Sequence, residues 1–233
     1  MLDFGFYNMD CMEGMKEFPD NYFELAIVDP PYFEGPNKRL FYGKEINNLN
    51  IKRKDYPKIE KWEVPTKEYF DELMRASQHQ IIWGINYFPE ANVGSGRIVW
   101  DKVNGDSSFS DCEVAYCSLH DSVRLIRYMW NGMLQGKSIE KGHLAQGNKA
   151  LNEFRIHPTQ KPIALYEWLL SKYANKGDKI LDTHVGSVSS LIACHRGGFD
   201  CVGFELDKEY YDMASKRLEI EKAQASIFDF IER

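Results

Sequence analysis

The chain has 233 residues, 43% of them hydrophobic and 14% aromatic, enough for one well-packed domain and too apolar for a disordered chain. Its net charge of −6 speaks against a uniformly basic nucleic-acid binder, and no run of apolar residues approaches the length of a membrane span. The N-terminus lacks a basic start and apolar core, and the five scattered cysteines form no CxxC pair, so a cytoplasmic, nucleoid-associated protein without structural zinc is expected.

Phe4 to Tyr7 and Leu25 to Val28 read as strands, with the short amphipathic segment "CMEGMKEF" between them. The second strand runs into "DPPY", residues 29 to 32. A residue before proline is pushed into extended geometry, and proline cannot donate to a ladder, so the strand ends in a rigid turn bearing a carboxylate and an aromatic ring. Residues 33–64 lack periodicity and read as a long exposed loop, of the kind that is functional or mobile. Thr66 starts a helix through about Ser77, and "QIIWG", "RIVW" and "CEVAYCS" follow as buried strands.

Residues 124–155 mix Arg, Lys, Trp, Tyr, Gln and Gly without a clean period, a composition that suits a contacting surface. From Pro162 the pattern is regular again. "PIALYEWLLSKYA" is a helix with proline at its first position, followed by strand "KILD", helix "SVSSLIACHRG", strand "CVGFE" and helix "KEYYDMASKRLEIEK". This alternation predicts an α/β fold with a mostly parallel sheet and helices on both faces.

In "KILDTHVGS", residues 179 to 187, a strand ends in an acid and passes through a glycine turn into a helix. Small residues there let a ligand approach the backbone and the helix N-terminus. About twenty residues on, the next strand ends at Glu205, followed by Asp207, where an acid can accept hydrogen bonds from ribose hydroxyls. The pair predicts an adenosine-type ligand. Charge is also uneven: Asn37 to Lys61 and Arg124 to Lys161 each carry net +5, while the first 36 residues carry net −7. Two basic islands on an acidic body suit a polyanion as well as they suit solvated loops.

"DPPY", then "HPTQKP" at 157 to 162, then the strand–glycine–helix unit resembles the N6-adenine/N4-cytosine DNA methyltransferases, in the order that places the catalytic motif before the cofactor motif. The likeness extends over most of the chain and is nearest to the small enzymes of phages and mobile elements. It implies a single domain over residues 1–233 with a Rossmann-like fold that binds S-adenosylmethionine. It implies catalytic roles for Asp29, Pro30, Pro31 and Tyr32: Asp29 and the Pro30 carbonyl accept hydrogen bonds from the target exocyclic amine, and Tyr32 stacks on a flipped-out base. Around the cofactor it implies Asp10, His157, Thr159, Lys161, Asp182, Thr183, His184, Gly186, Ser187, Glu205 and Asp207, with no metal.

The resemblance makes double-stranded DNA the partner, with 33–64 a DNA-facing loop and 124–155 a small target-recognition insertion. Lys38, Arg39, Lys52, Arg53, Lys54, Arg124, Arg127, Trp130 and Lys137 are the DNA-contacting candidates. The small insertion points to a short recognition site or a homodimer, and a cognate restriction endonuclease is an open question. Adenine N6 is favoured over cytosine N4 because the motif begins with Asp, where N4 enzymes more often have Ser.

One departure stands out. The family's Asp-Pro-Phe-x-Gly-x-Gly turn reads Asp182-Thr183-His184-Val185-Gly186-Ser187-Val188 here. A β-branched Val188 is costly if the position needs positive φ. The alternatives are a tolerant backbone, weak cofactor binding, or a DNA-binding remnant that has lost activity. An RNA or protein-glutamine methylase is the third class, for which an Asn-initiated turn is more typical.

Overall fold

The computed structural model describes residues 1–32, 56–57, 63–105, 110–131 and 134–231, the last helix by its backbone alone beyond residue 224. Eight strands form one sheet. In chain order the first five are β1 (Gly5–Asn8), β2 (Phe23–Val28), β3 (Ser77–Trp83), β4 (Arg97–Asp101) and β5 (Cys112–Cys117). β6 (Val123–Arg127) follows, then a small hairpin of β7 (Trp130–Asn131) and β8 (Leu134–Gln135), and finally β9 (Lys179–Asp182) and β10 (Asp200–Glu205). The order across the sheet is β1-β10-β9-β2-β3-β5-β4-β6. Only β5 runs against the rest, pairing antiparallel with both β3 and β4. The predicted α/β, mostly parallel architecture is what forms.

Both faces of the central strands are buried because side chains alternate across a pleated sheet. Leu25, Ile27, Ile81 and Trp83 pack with helices α3 (Ile163–Tyr173), α4 (Ser189–Gly197) and α5 (Lys208–Ile231) on one side. Ala26, Val28, Ile82 and Phe204 pack with α1 (Cys11–Lys16) and α2 (Lys67–Ala76) on the other. Parallel neighbours bring the carboxyl ends of β1, β10, β9 and β2 to one edge, where open α/β sheets hold their ligands.

Three expectations change in detail. Pro162 sits at the N-cap of α3, one residue before the first helical position. Thr66 precedes α2, but its hydroxyl makes no capping bond and turns to Glu68 instead. Residues 124–127, expected to open an irregular insertion, belong to the edge strand β6, paired parallel with β4. Alternation fails to reveal β6 because Val123, Arg124, Leu125 and Arg127 are all exposed and only Ile126 faces the core.

Candidate active site

A cavity of about 270 Å³ opens at the carboxyl ends of β1, β2, β9 and β10. Its lining joins Asp10, Asp29, Pro30, Pro31, Tyr32, His157, Thr159, Lys161, Thr183, His184, Gly186, Ser187 and Glu205, so most of the site residues named from the sequence meet in one place.

At the β2 end, Asp29 leaves the strand and its Oδ2 pairs with the buried Lys161 ammonium. Its Oδ1 is buried with no hydrogen-bond partner among the described residues. A buried acceptor without a donor is costly, and at a pocket wall it is an open place for an N–H donor. Burial raises the Asp29 pKa; Lys161 opposes that shift and Glu113 reinforces it. Tyr32 stacks almost parallel on Tyr87, with centroids 4.7 Å apart and planes 8° apart. Gly84 gives it room: a Cβ there would lie 2.6 Å from Tyr32 Cδ1, and the Gly84 φ is +69°.

Across the cavity the turn after β9 is held from beneath. Asp182 accepts from the His184 backbone N–H at 3.0 Å and from the Ser190 hydroxyl, and burial raises its pKa to about 6. Thr183 Oγ1 bonds both Tyr69 Oη at 2.6 Å and His184 Nδ1 at 2.9 Å. Burial lowers His184 to about 4 and, as the main cause, His157 to about 3, so both imidazoles are neutral near pH 7. Gly186 adopts φ +53° and donates its N–H to Glu205 Oε2 at 2.8 Å; Glu205 Oε1 accepts from the Asp207 N–H at 2.9 Å. Burial lifts Glu205 to about 7. Asp10 caps α1 through the Met12 N–H at 2.8 Å and stays exposed at the rim.

Several assignments shift. Asp182 does not line the cavity; its carboxylate braces the turn. Asp207 likewise lies outside the lining and caps α5 through the N–H groups of Glu209 and Tyr210. Lys161 is neither a solvent-exposed residue nor free to meet a cofactor, because it is 3% exposed and held between Asp29 and Glu113, its Nζ 3.0 Å from Glu113 Oε2. Trp130, expected on DNA, is buried and donates its indole N–H to the Gln160 carbonyl at 2.7 Å. Tyr128 and Gln135 are buried beside it. Arg124, Arg127 and Lys137 are exposed, Arg127 in a 2.8 Å ion pair with Asp101. Lys38, Arg39, Lys52, Arg53 and Lys54 lie outside the described residues.

Glu113 was missed by sequence reading. In "CEVAYC" it shares the inward face with the buried Ala115 and Cys117, and an acid on an apolar face needs a buried partner. That was the available signal.

The family model for DNA methylases of the N6/N4 type matches residues 40–216. The type II methyltransferase M2.DpnII of Streptococcus pneumoniae is 43% identical over 91% of this chain and 88% of its own length. The chain belongs to the N6/N4 DNA methylase family. The type II methyltransferase M.HpaI of Haemophilus parainfluenzae is 26% identical, covering 91% of this chain and 73% of its own. Among solved structures, the M1.HpyAVI–SAM complex superposes with a TM-score of 0.54 at 21% identity over 91% of this chain and 98% of that one. That likeness supports the fold.

The residues present fit the family's cofactor, S-adenosylmethionine. The ligand carries a sulfonium and an ammonium, and among the described residues the lining offers Asp10, Asp29, Glu63 and Glu205 against a single, already paired Lys161. Neutral His157 and His184 add no competing charge. Glu205 stands at the strand end where a carboxylate meets ribose hydroxyls. Among the described residues no helix is long and apolar enough to cross a membrane, and no cluster of potential metal ligands occurs.

Proposed function

We propose that this chain methylates the exocyclic amine of a flipped-out base in double-stranded DNA, with adenine N6 as the target. S-adenosylmethionine, when bound, supplies the electrophilic methyl group. The observation that carries the reading is the unpartnered Asp29 Oδ1 in the same cavity as the Gly186–Glu205 turn.

An exocyclic amine is a poor nucleophile because its lone pair is conjugated with the ring. Asp29 Oδ1 and the Pro30 carbonyl accept its hydrogens and draw the nitrogen towards tetrahedral geometry, freeing the lone pair. Tyr32 receives the base against its ring and offsets part of the unstacking cost of flipping. Asp29 then takes the proton released as the methylated amine returns to neutrality. Pro30 and Pro31 stiffen the turn, so acceptor and ring keep a fixed separation. Thr183, Ser187, Gly186 and Glu205 hold the cofactor side, and exposed Arg124, Arg127 and Lys137 serve phosphates.

Asp at the first position of the motif supports adenine. So does the relative named DNA adenine methyltransferase YhdJ of Escherichia coli, 23% identical over 91% of this chain and 81% of its own. The test is nucleoside mass spectrometry on DNA from a methylation-deficient host expressing the chain. N6-methyladenine is expected. N4-methylcytosine would move the target while keeping the mechanism, and no methylated base from soluble protein would replace the enzyme by a DNA-binding remnant.

A further inference from the structure

We infer that Glu113 is a positioning residue for methyl transfer: from the opposite side of Lys161 it divides the lysine's charge with Asp29, and so sets both the orientation and the acceptor strength of the Asp29 carboxylate. The inference rests on the catalytic reading of Asp29 and extends it to a residue on another strand.

The chain of contacts runs from the buried Lys161 to the partly buried Asp29, Glu113 and Lys102. Lys161 Nζ meets Asp29 Oδ2 on one side and Glu113 Oε2, at 3.0 Å, on the other. Glu113 Oε1 receives Lys102 Nζ at 3.1 Å. Lys161 lies 5.5 Å from the ring centre of the fully buried Trp83, so an apolar wall closes the remaining side. Two acids and two lysines thus alternate and cancel in charge, which burial requires. The pairing with Lys161 is an ion pair rather than an aligned hydrogen bond, because Oε2 has no hydrogen-bond partner among the described residues.

The arrangement has a chemical consequence. If Lys161 belonged to Asp29 alone, the ammonium would draw charge from Oδ1 and weaken it as an acceptor. Sharing Lys161 with Glu113 lessens that draw. The same sharing holds Oδ2, so the carboxylate cannot rotate Oδ1 away from the base. Burial would raise the Glu113 pKa, but Lys161 and Lys102 together hold it below its usual value, which keeps the second acid charged. Other groups also face Asp29: Tyr32 from its own turn, Tyr69 from α2, Tyr166 from α3 and Asp182 from β9. None of the variants below alters any of them.

The test is the pH dependence of the single-turnover transfer rate in Glu113→Gln, Glu113→Asp and Lys102→Gln, alongside carbon-13 NMR titration of the Asp29 carboxyl. With Glu113→Gln a like charge disappears and Lys161 falls wholly to Asp29. The acidic limb and the NMR titration both move to lower pH, and the plateau rate falls roughly tenfold, less than the roughly 100- to 10,000-fold that a group acting directly on the substrate commands. DNA affinity stays within twofold, and Glu113→Asp restores part of the rate. Lys102→Gln removes a cation and frees Glu113 for Lys161, so limb and titration move the opposite way. Opposed displacements are not produced by a merely structural role. Unmoved titrations in both variants overturn the inference, as does a shift of the same sign in both. Should Glu113→Gln fail to fold, the Lys102→Gln direction decides alone. If the wild-type protein transfers no methyl group, the catalytic reading fails, while NMR still reports whether Glu113 governs Asp29.

Discussion

Tyr32 and Tyr87 stack with their planes only 8° apart, yet Tyr32 lines the cavity and Tyr87 does not. Tyr87 therefore backs the Tyr32 ring on the face away from the cavity and fixes its plane. An aromatic pair of this kind is worth about 1 kcal/mol. Tyr87→Ala frees the ring to turn, so the transfer rate drops about tenfold and 2-aminopurine at the target position shows weaker quenching. Tyr87→Phe keeps both values near wild type. Gly84→Ala is the more severe change, since its Cβ would sit 2.6 Å from Tyr32 in a backbone at φ +69°. Equal quenching in Tyr87→Ala and wild type would show that Tyr32 holds its plane unaided.

Asp29→Asn replaces an acceptor-only carboxylate by an amide that can present an N–H to the target amine, and it leaves Lys161 with Glu113 as its one acidic partner among the described residues. Transfer falls at least about 100-fold, the scale on which removing one preorganised electrostatic group acts. DNA binding, which the proposed function assigns to groups outside this pocket, holds within twofold in a fluorescence-anisotropy titration. Residual transfer above a tenth of wild type would move the acceptor role away from Asp29.

Much of this site is legible locally. Asp29 and Tyr32 flank two prolines, and Gly186 in the turn after β9 lies 19 residues before Glu205 at the end of β10, so short-range rules place them. Lys161 and Glu113 are different. The partners of Lys161 lie far along the chain, Glu113 on β5 and Asp29 beside β2, and an ion pair between distant segments leaves no spacing to read. Trp130 shows the reverse error. Aromatic residues with polar handles look alike in composition whether they meet a ligand or satisfy each other in a core, and the Trp130–Gln160 hydrogen bond puts Trp130 in the core. Asp182 and Asp207 were placed in the correct turns; their carboxylates are spent on backbone N–H groups that hold those turns in shape.

The proposed ribose contact of Glu205 would give cofactor binding a pH dependence whose sign follows from its raised pKa. Burial raises its pKa to about 7, so the carboxyl is mostly protonated at pH 6 and mostly ionised at pH 8. Two ribose hydroxyls need two acceptor oxygens, which only the ionised form supplies in full. S-adenosylmethionine affinity measured by calorimetry therefore tightens by up to about tenfold from pH 6 to pH 8. Glu205→Gln binds more weakly and loses most of that slope. A steep slope surviving in Glu205→Gln would assign the titration elsewhere.

Val188 holds φ +64° at the N-cap of α4, the left-handed conformation that the family's glycine would adopt freely, and it is fully buried there. The backbone thus does require glycine-like geometry, and this chain accommodates a β-branched residue in it. The strain is of order 1–2 kcal/mol, and burying the valine side chain contributes roughly 2 kcal/mol in return. These nearly cancel, which accounts for a valine surviving at such a position. The two smaller variants separate the terms. Val188→Gly loses the packing and the strain together, so its thermal midpoint stays within a few degrees of wild type. Val188→Ala loses the packing but keeps a Cβ at positive φ, and it is less stable than the glycine variant by about 1 kcal/mol. That order reverses the usual preference for alanine next to a helix. An alanine variant more stable than the glycine one would mean that the turn relaxes to negative φ, and that no strain is stored beneath the cofactor site.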